Sequence, residues 1–378
     1  MPTTDALTVH GARVATGDAV VDDGWVRFEG GVVAATGRGM PPSGGEVLDA
    51  GGGVLTPGFV DVHVHGGGGQ DFGAGPDALP AVLGAHRAHG TTRSALSLVS
   101  APVEQVVEQV AALAPAVRED PLLLGVHLEG PFLSPDNRGA HDPAALTAPT
   151  AAEVDALLAA ADGTLLQVTI APELPGAIDA VRRFAAAGVR VAVGHTVADM
   201  NVAGAAFDAG ATLLTHAFNA MPQLAHRAPG PIGAALARPD VVLEVIADGL
   251  HVHPVVVAAL FRMAPGRVAL VTDAMSATGI GDGEYRLGTL DVTVRDGAAR
   301  LASGSLAGST LTLDAAIRTA VAAGVPLTDA IAAATSIPAR AAGRPDLGSF
   351  APGSPADAVL LTDDLEVRAV WAAGTRLR

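Results

Sequence analysis

The residues able to do chemistry in this chain recur at one kind of place, the end of a short apolar run. The run at 59–64 ends in Asp61-Val62-His63-Val64-His65, followed by four glycines. Others lead to His127-Leu128-Glu129, Gly194-His195-Thr196, Thr215-His216-Ala217-Phe218-Asn219, Asp248-Gly249-Leu250-His251 and Thr272-Asp273. Imidazole and carboxylate are the donors that hold a divalent cation, with His nitrogen at about 2.0–2.1 Å. His63 and His65 stand at i and i+2, so on a strand they share one face. The chain of 378 residues has no Cys, and all 23 of its basic Lys/Arg positions are Arg. Cys-ligated metals, thiolate nucleophiles, Schiff bases and lysine-bridged metal pairs are therefore excluded. Any metal must be held by His, Asp or Glu.

Positioning such groups together requires a scaffold. Apolar strand-like runs fall at 59–64, 94–99, 122–128, 165–170, 189–193, 211–215, 242–247 and 267–272, separated by Ala-rich helical stretches such as 78–89, 103–117, 151–161, 176–187 and 254–263. Near-continuous apolar runs are the mark of buried parallel strands. Eight of them alternating with helices predict an α/β fold, a (β/α)8 TIM-like barrel, with a doubly wound sheet as the alternative. In a closed barrel all strand C-termini form one rim, where the polar residues would converge. The two chain ends read differently: short alternating strands and Gly-rich turns over residues 1–56 and again over 341–378 predict one small β-sandwich domain built from both ends, flanking a barrel of 57–340. Residues 285–302 read as a hairpin inserted after strand eight, with helices resuming at 309–323 and 327–335.

A net charge of −16 lacks the basic footprint of a nucleic-acid binder. No apolar run reaches membrane-spanning length. The N-terminus carries no basic-then-apolar leader pattern, so a cytoplasmic protein is expected.

Pro57-Gly58-Phe59-Val60-Asp61-Val62-His63-Val64-His65-Gly66 resembles the first-strand signature of the amidohydrolase superfamily. More specifically, the chain resembles the N-acetylglucosamine-6-phosphate deacetylase family, through His127-Leu128-Glu129-Gly130-Pro131-Phe132, Val193-Gly194-His195-Thr196, His216-Ala217-Phe218-Asn219-Ala220-Met221, Ala247-Asp248-Gly249-Leu250-His251, Val271-Thr272-Asp273-Ala274-Met275 and Ser305-Leu306-Ala307-Gly308-Ser309. The segments keep their order over nearly the full length.

The resemblance implies metal-dependent removal of the N-acetyl group of an amino-sugar 6-phosphate. Glu129, His195 and His216 would bind one divalent ion. With His63, His65 and Asp273 added, a second ion can be held; zinc is the default, with iron, cobalt or manganese fitting the same donors. The missing lysine argues the same way independently, because a carboxylate from strand three is the natural substitute for a carbamylated-lysine bridge. It also weighs against dihydroorotase-like or dipeptidase-like relatives, which usually carry that bridge. Asp273 would be the general base and then the acid that protonates the departing amine. His141, in Arg138-Gly139-Ala140-His141, would polarise the amide carbonyl.

By the same resemblance Asn219, the Ala220 backbone N–H, Arg227, His251 and Leu306 would contact the sugar phosphate, Arg being the one permanent cation available for phosphate. Family members complete this site with a neighbouring subunit, which implies a homodimer. Sequence does not decide whether Arg227 or His251 crosses over, nor between the gluco and galacto epimers of the substrate. The other histidines, His10, His86, His89, His226 and His253, are read as structural or bystanders, with His86 and His89 far from the rim. A non-catalytic scaffold would have to lack some metal ligand or Asp273, and none is missing.

Overall fold

The computed structural model describes residues 6–378. Met1–Asp5, the start of the stretch read as leaderless and of the 1–56 unit, lies outside the described residues.

Eight strands hydrogen-bond side by side in chain order, all parallel: Phe59–Asp61, Thr91–Val99, Leu123–Glu129, Leu165–Ile170, Arg190–Val193, Leu213–Leu214, Val242–Val245 and Val268–Leu270. They fall on the eight apolar runs and are called strands one to eight below. Each is followed by a helix: Leu79–Arg87, Val103–Glu119, Ala151–Ala161, Ala177–Ala186, Met200–Asp208, Gly230–Leu236, Pro254–Met263 and Leu313–Ala322. This is the (β/α)8 barrel.

The helices bury one apolar stripe each, as Val154, Leu157 and Ala161 do in the third. Side-chain caps fix the starts of three of them, the third, fifth and seventh, at the rim end. Thr150 and Glu153 form a reciprocal capping box, and Asp199 accepts from the N–H groups of Asn201 and Val202.

Strands one and eight meet through the segments just beyond them. Thr272 Oγ1 donates to Asp61 Oδ2 at 2.6 Å, Asp273 N donates to the His63 carbonyl at 2.8 Å, and His65 N donates to the Ala274 carbonyl at 2.9 Å. These bonds close the barrel and set His63, His65 and Asp273 side by side.

The chain ends supply a second sheet of eight strands. Thr375–Arg376, Val367–Ala372, Ala358–Leu361, Val54–Pro57, Leu7–Ala15, Val20–Glu29 and Val32–Arg38 follow one another across it, and Glu46–Asp49 pairs with Leu7–Ala15. The central contact joins N-terminal to C-terminal sequence, with Leu55 opposite Leu360. Its core is separate from that of the barrel and includes Val9, Val26, Phe28, Leu360 and Trp371. Where a hairpin was expected after strand eight, the structure has three antiparallel strands, Gly283–Leu287, Leu290–Arg295 and Ala298–Arg300. This sheet packs Leu287, Val292 and Val294 against Met275 and returns the chain to the rim at Leu306–Ser309.

Candidate active site

The rim places the strand-end residues around one buried point. Glu129 ends strand three; His195, His216 and Asp273 follow strands five, six and eight within a few residues. Aiming these side chains inward requires unusual backbone. His195, His216, Phe218, Ala220 and Asp273 all have positive φ, +46°, +24°, +78°, +48° and +49°. Non-glycine residues pay about 1–3 kcal/mol for such conformations, and they persist where the surroundings over-determine them. Gly194 is required by space rather than φ: a Cβ there would stand 2.6 Å from Thr215 Cβ and 2.8 Å from Thr169 Cγ2.

Glu129 is the hub. Its Oε1 lies 3.1 Å from His195 Nε2, 3.1 Å from His216 Nε2 and 3.3 Å from His63 Nε2. Its Oε2 lies 3.1 Å from His65 Nε2 and 3.3 Å from His141 Nε2. Asp273 Oδ1 lies 3.2 Å from His65 Nε2 and 3.5 Å from His63 Nε2. Two subsets bring their donor atoms into one small space: His63, His65, Glu129 and Asp273, and Glu129, His141 and His195. His216 joins the second through its 3.0 Å approach to His195 Nε2.

This donor set fits a divalent cation. His63 Nε2 and His65 Nε2 approach to 3.2 Å, as His195 and His216 do to 3.0 Å, and a pair of neutral imidazoles has at most one hydrogen to place between two such nitrogens. Ligand atoms tetrahedrally arranged around one zinc-sized ion would be roughly 3.4 Å apart. The nitrogens and carboxylate oxygens are thus spaced as ligands of a common ion, and the set is all His and carboxylate, as the composition demanded.

The electrostatics agree. Burial pushes the Glu129 carboxyl up, but His63 and His195, with hydrogen bonds from His141 and His195, hold it well below the usual carboxylate range. Asp273 is likewise opposed by burial and pulled down to about 2, His63 being the largest favourable influence. Burial works against the charged form of His65, yet hydrogen bonds to Asp273 and Glu129 raise it to about 9. The same contest leaves His63 well above its ordinary value. The carboxylates therefore draw positive charge into the point, which a proton or a metal ion can supply.

Behind this cluster lies a layer that sequence reasoning missed. His127, on strand three, points into the barrel, with Nδ1 2.9 Å from Ser97 Oγ and Nε2 3.1 Å from Thr169 Oγ1. Burial and the neighbouring His63 push it well below its ordinary value, so it is a neutral spacer. Glu244, inside the apolar run of strand seven, faces His63 Nδ1 at 3.1 Å. The available signal was a single carboxylate in Val242-Leu243-Glu244-Val245-Ile246.

A cavity of about 390 Å³ opens above the cluster, lined by Glu129, His141, Asn219, Ala220, His251, Leu306 and Arg300 among others. Most of the residues expected to contact substrate line it. His251 is held there by Asp248, whose Oδ2 is 2.6 Å from its Nδ1. Arg227 does not line this cavity; it is exposed, with Nη1 2.7 Å from His226 Nε2. Arg300, from the inserted sheet, was not expected. Nor is His86 remote from the rim: it is buried, and its Nε2 lies 2.8 Å from the Gly66 carbonyl, one residue beyond His65.

Residues 54–377 match the amidohydrolase family. The chain belongs to that family. Among curated amidohydrolases, N-acetylgalactosamine-6-phosphate deacetylase of Escherichia coli O157:H7 is 39% identical over 373 residues, covering 96% of this chain and 97% of the relative. N-acetylglucosamine-6-phosphate deacetylase of Vibrio furnissii is 37% identical, covering 85% and 82%. Among solved amidohydrolases, an aspartate-to-alanine variant of N-acetyl-D-glucosamine-6-phosphate deacetylase from Mycobacterium smegmatis, in complex with N-acetyl-D-glucosamine-6-phosphate, superposes with a TM-score of 0.95 at 42% identity, covering 99% of each chain. Within the family, the chain stands with the amino-sugar-phosphate deacetylases.

Proposed function

We propose that this protein hydrolyses the N-acetyl group of N-acetyl-D-glucosamine 6-phosphate, giving glucosamine 6-phosphate and acetate in amino-sugar catabolism or cell-wall recycling. The observation that carries the reading is the full-length similarity to the M. smegmatis deacetylase, at 42% identity, over a rim that gathers a His/carboxylate donor set beneath a substrate-sized cavity.

Glu129, His195 and His216 would hold one divalent ion. His63, His65 and Asp273, together with Glu129, would hold a second, with zinc the preferred metal. When bound, the metal supplies Lewis-acid activation of water and of the amide carbonyl. Asp273 takes the proton of the attacking water, then hands it to the sugar nitrogen, which leaves poorly unless protonated. His141, beside Glu129 at the cavity wall, donates to the carbonyl oxygen as negative charge grows there.

Asn219, the Ala220 N–H, His251 and Leu306 surround the sugar phosphate. Arg227 is assigned to the cavity of a neighbouring copy, because His251 lies in its own subunit's cavity and Arg227 does not. A cytoplasmic homodimer is part of the same proposal, supported by the outward placement of Arg227. The division of labour between a β domain of 1–56 and 341–378 and a catalytic barrel of 57–340 is part of the same proposal.

The galacto epimer is the second reading, favoured by the E. coli relative, which matches over 96% of this chain. Acetate release should be measured from N-acetylglucosamine 6-phosphate, its galacto epimer and the unphosphorylated sugar, with bound metal quantified alongside. Faster turnover of the gluco phosphate is expected. No release from any of the three by metal-loaded protein would refute the deacetylase reading.

A further inference from the structure

Glu244 has no role in the reading above, yet it is a fully buried carboxylate beside the site. It sits in the middle of an apolar parallel strand with 0% exposure, and no Arg is within ion-pair distance among the described residues. Its partners are His63 Nδ1 at 3.1 Å, Gln167 Nε2 at 2.9 Å and, more weakly, the His216 backbone N–H at 3.4 Å. Burying a carboxylate in such a place is costly in desolvation, and well-packed apolar side chains commonly replace such groups without loss of stability. Packing therefore does not account for it.

Its geometry does. With Oε2 against His63 Nδ1, the imidazole carries its proton on Nδ1. In the neutral ring that a metal would bind, Nε2 is then the lone pair offered to the point shared with His65, Glu129 and Asp273. Gln167 holds the other carboxylate oxygen, fixing the plane of the group. The third contact reaches the backbone of His216, one of the strained positions of the rim.

We propose that Glu244 is a positioning residue for metal binding: it sets the tautomer and orientation of His63, and couples the His63/His65 half of the cluster to the His216 half. Carboxylate partners of metal-bound histidines act in this way elsewhere, and their loss typically lowers metal affinity about ten- to hundredfold. The inference rests on the proposed metal ligands but not on the identity of the substrate.

The test is zinc binding by the whole chain, read without substrate. Stoichiometry would come from elemental analysis and affinity from competition with a chromophoric chelator. Glu244→Gln keeps the shape but can offer only one oxygen, and Glu244→Met keeps only the volume. The expected result is a weakening of zinc affinity of about tenfold for Glu244→Gln and up to about a hundredfold for Glu244→Met, largest at the site that uses His63.

In a His63→Ala background the Glu244→Gln change should cost far less than it does in the wild type, since its main route is through His63. Wild-type affinity and stoichiometry in Glu244→Met would overturn the proposal, as would additive losses in the double variant. If Glu244→Met does not fold, Glu244→Gln and the double variant decide on their own. Failure of acetate release from every sugar, with the zinc results as expected, would sink the proposed substrate and leave this inference standing.

Discussion

The two ends of the barrel handle buried charge in opposite ways. At the end facing the second sheet, Arg93 near the start of strand two meets Asp357 in a forked pair, Nε to Oδ2 at 2.6 Å and Nη2 to Oδ1 at 3.0 Å, and Asp357 also accepts the Ala373 N–H. Both side chains are buried, and the pair satisfies itself. At the rim, imidazole nitrogens face one another and two carboxylates across a shared point, and no internal pairing can serve them all. A closed pair needs nothing from outside, whereas an open cluster is an appetite for a cation. Burial of polar groups is common to both ends; what marks function is that the donors at the rim converge without neutralising each other.

That contrast can be broken experimentally. The largest expected effect is at the rim: Asp273→Asn should lower turnover by about 10²–10⁴-fold, the usual worth of a positioned acid–base group, while calorimetry still shows much of the substrate binding retained. Near-normal turnover would remove Asp273 from the proton-transfer role.

The opposite end should answer in the other currency. Removing one partner of the buried pair, as in Arg93→Ala, should cost about 3–5 kcal/mol of stability in denaturant titrations, with kcat of the folded fraction unchanged. A loss of kcat without a loss of stability would erase the distinction between the ends.

His86 tests the ground between them, since it is a buried histidine beneath the rim without a carboxylate. Burial lowers it to about 4 from an ordinary 6.5. The folded protein therefore keeps it neutral while the unfolded chain takes up a proton. Stability is full above pH 6.5 and should fall by something on the order of 3 kcal/mol as pH drops toward 4. In His86→Gln that part of the pH slope should flatten. An unchanged slope would show that other groups set it.

The smallest effect concerns Arg227. Arg227→Ala should raise KM for the phosphorylated sugar roughly 10–100-fold, the worth of a hydrogen bond to a charged group, and leave the unphosphorylated sugar unaffected. Equal changes for both sugars would take Arg227 off the phosphate.

Much of this architecture was legible beforehand because parallel strands and strand ends leave strong marks. Eight apolar runs gave eight strands, and His63, His65, Glu129, His195, His216 and Asp273 stood out as polar groups at their ends. Glu244 did not, because a strand buried on both faces has no alternation to say which way a single residue points. His127 stands two residues before Glu129 and so shares its face on the strand, a signal the sequence carried but the reading left unused. The placement of Arg227 outside its own cavity could not be read from sequence, since a loop motif states which residues are neighbours but not which cavity they face. His86 was misjudged because the helix that carries it leans under the glycine loop after strand one; Gly67 lets it approach, a Cβ there standing 3.1 Å from its Nε2.

The closure between strands one and eight has a consequence for how the molecule opens. Asp61 and Thr272 are 211 positions apart in the chain, and the bonds that join them sit directly beneath His63, His65 and Asp273. A cation held by those three would act as a clasp over the last seam of the barrel, binding the closed form in preference to any form with the seam parted. By mass action it would then slow hydrogen exchange at the seam amides of His65 and Asp273 more than at strands three to five, and chelation would loosen the barrel along this one line first.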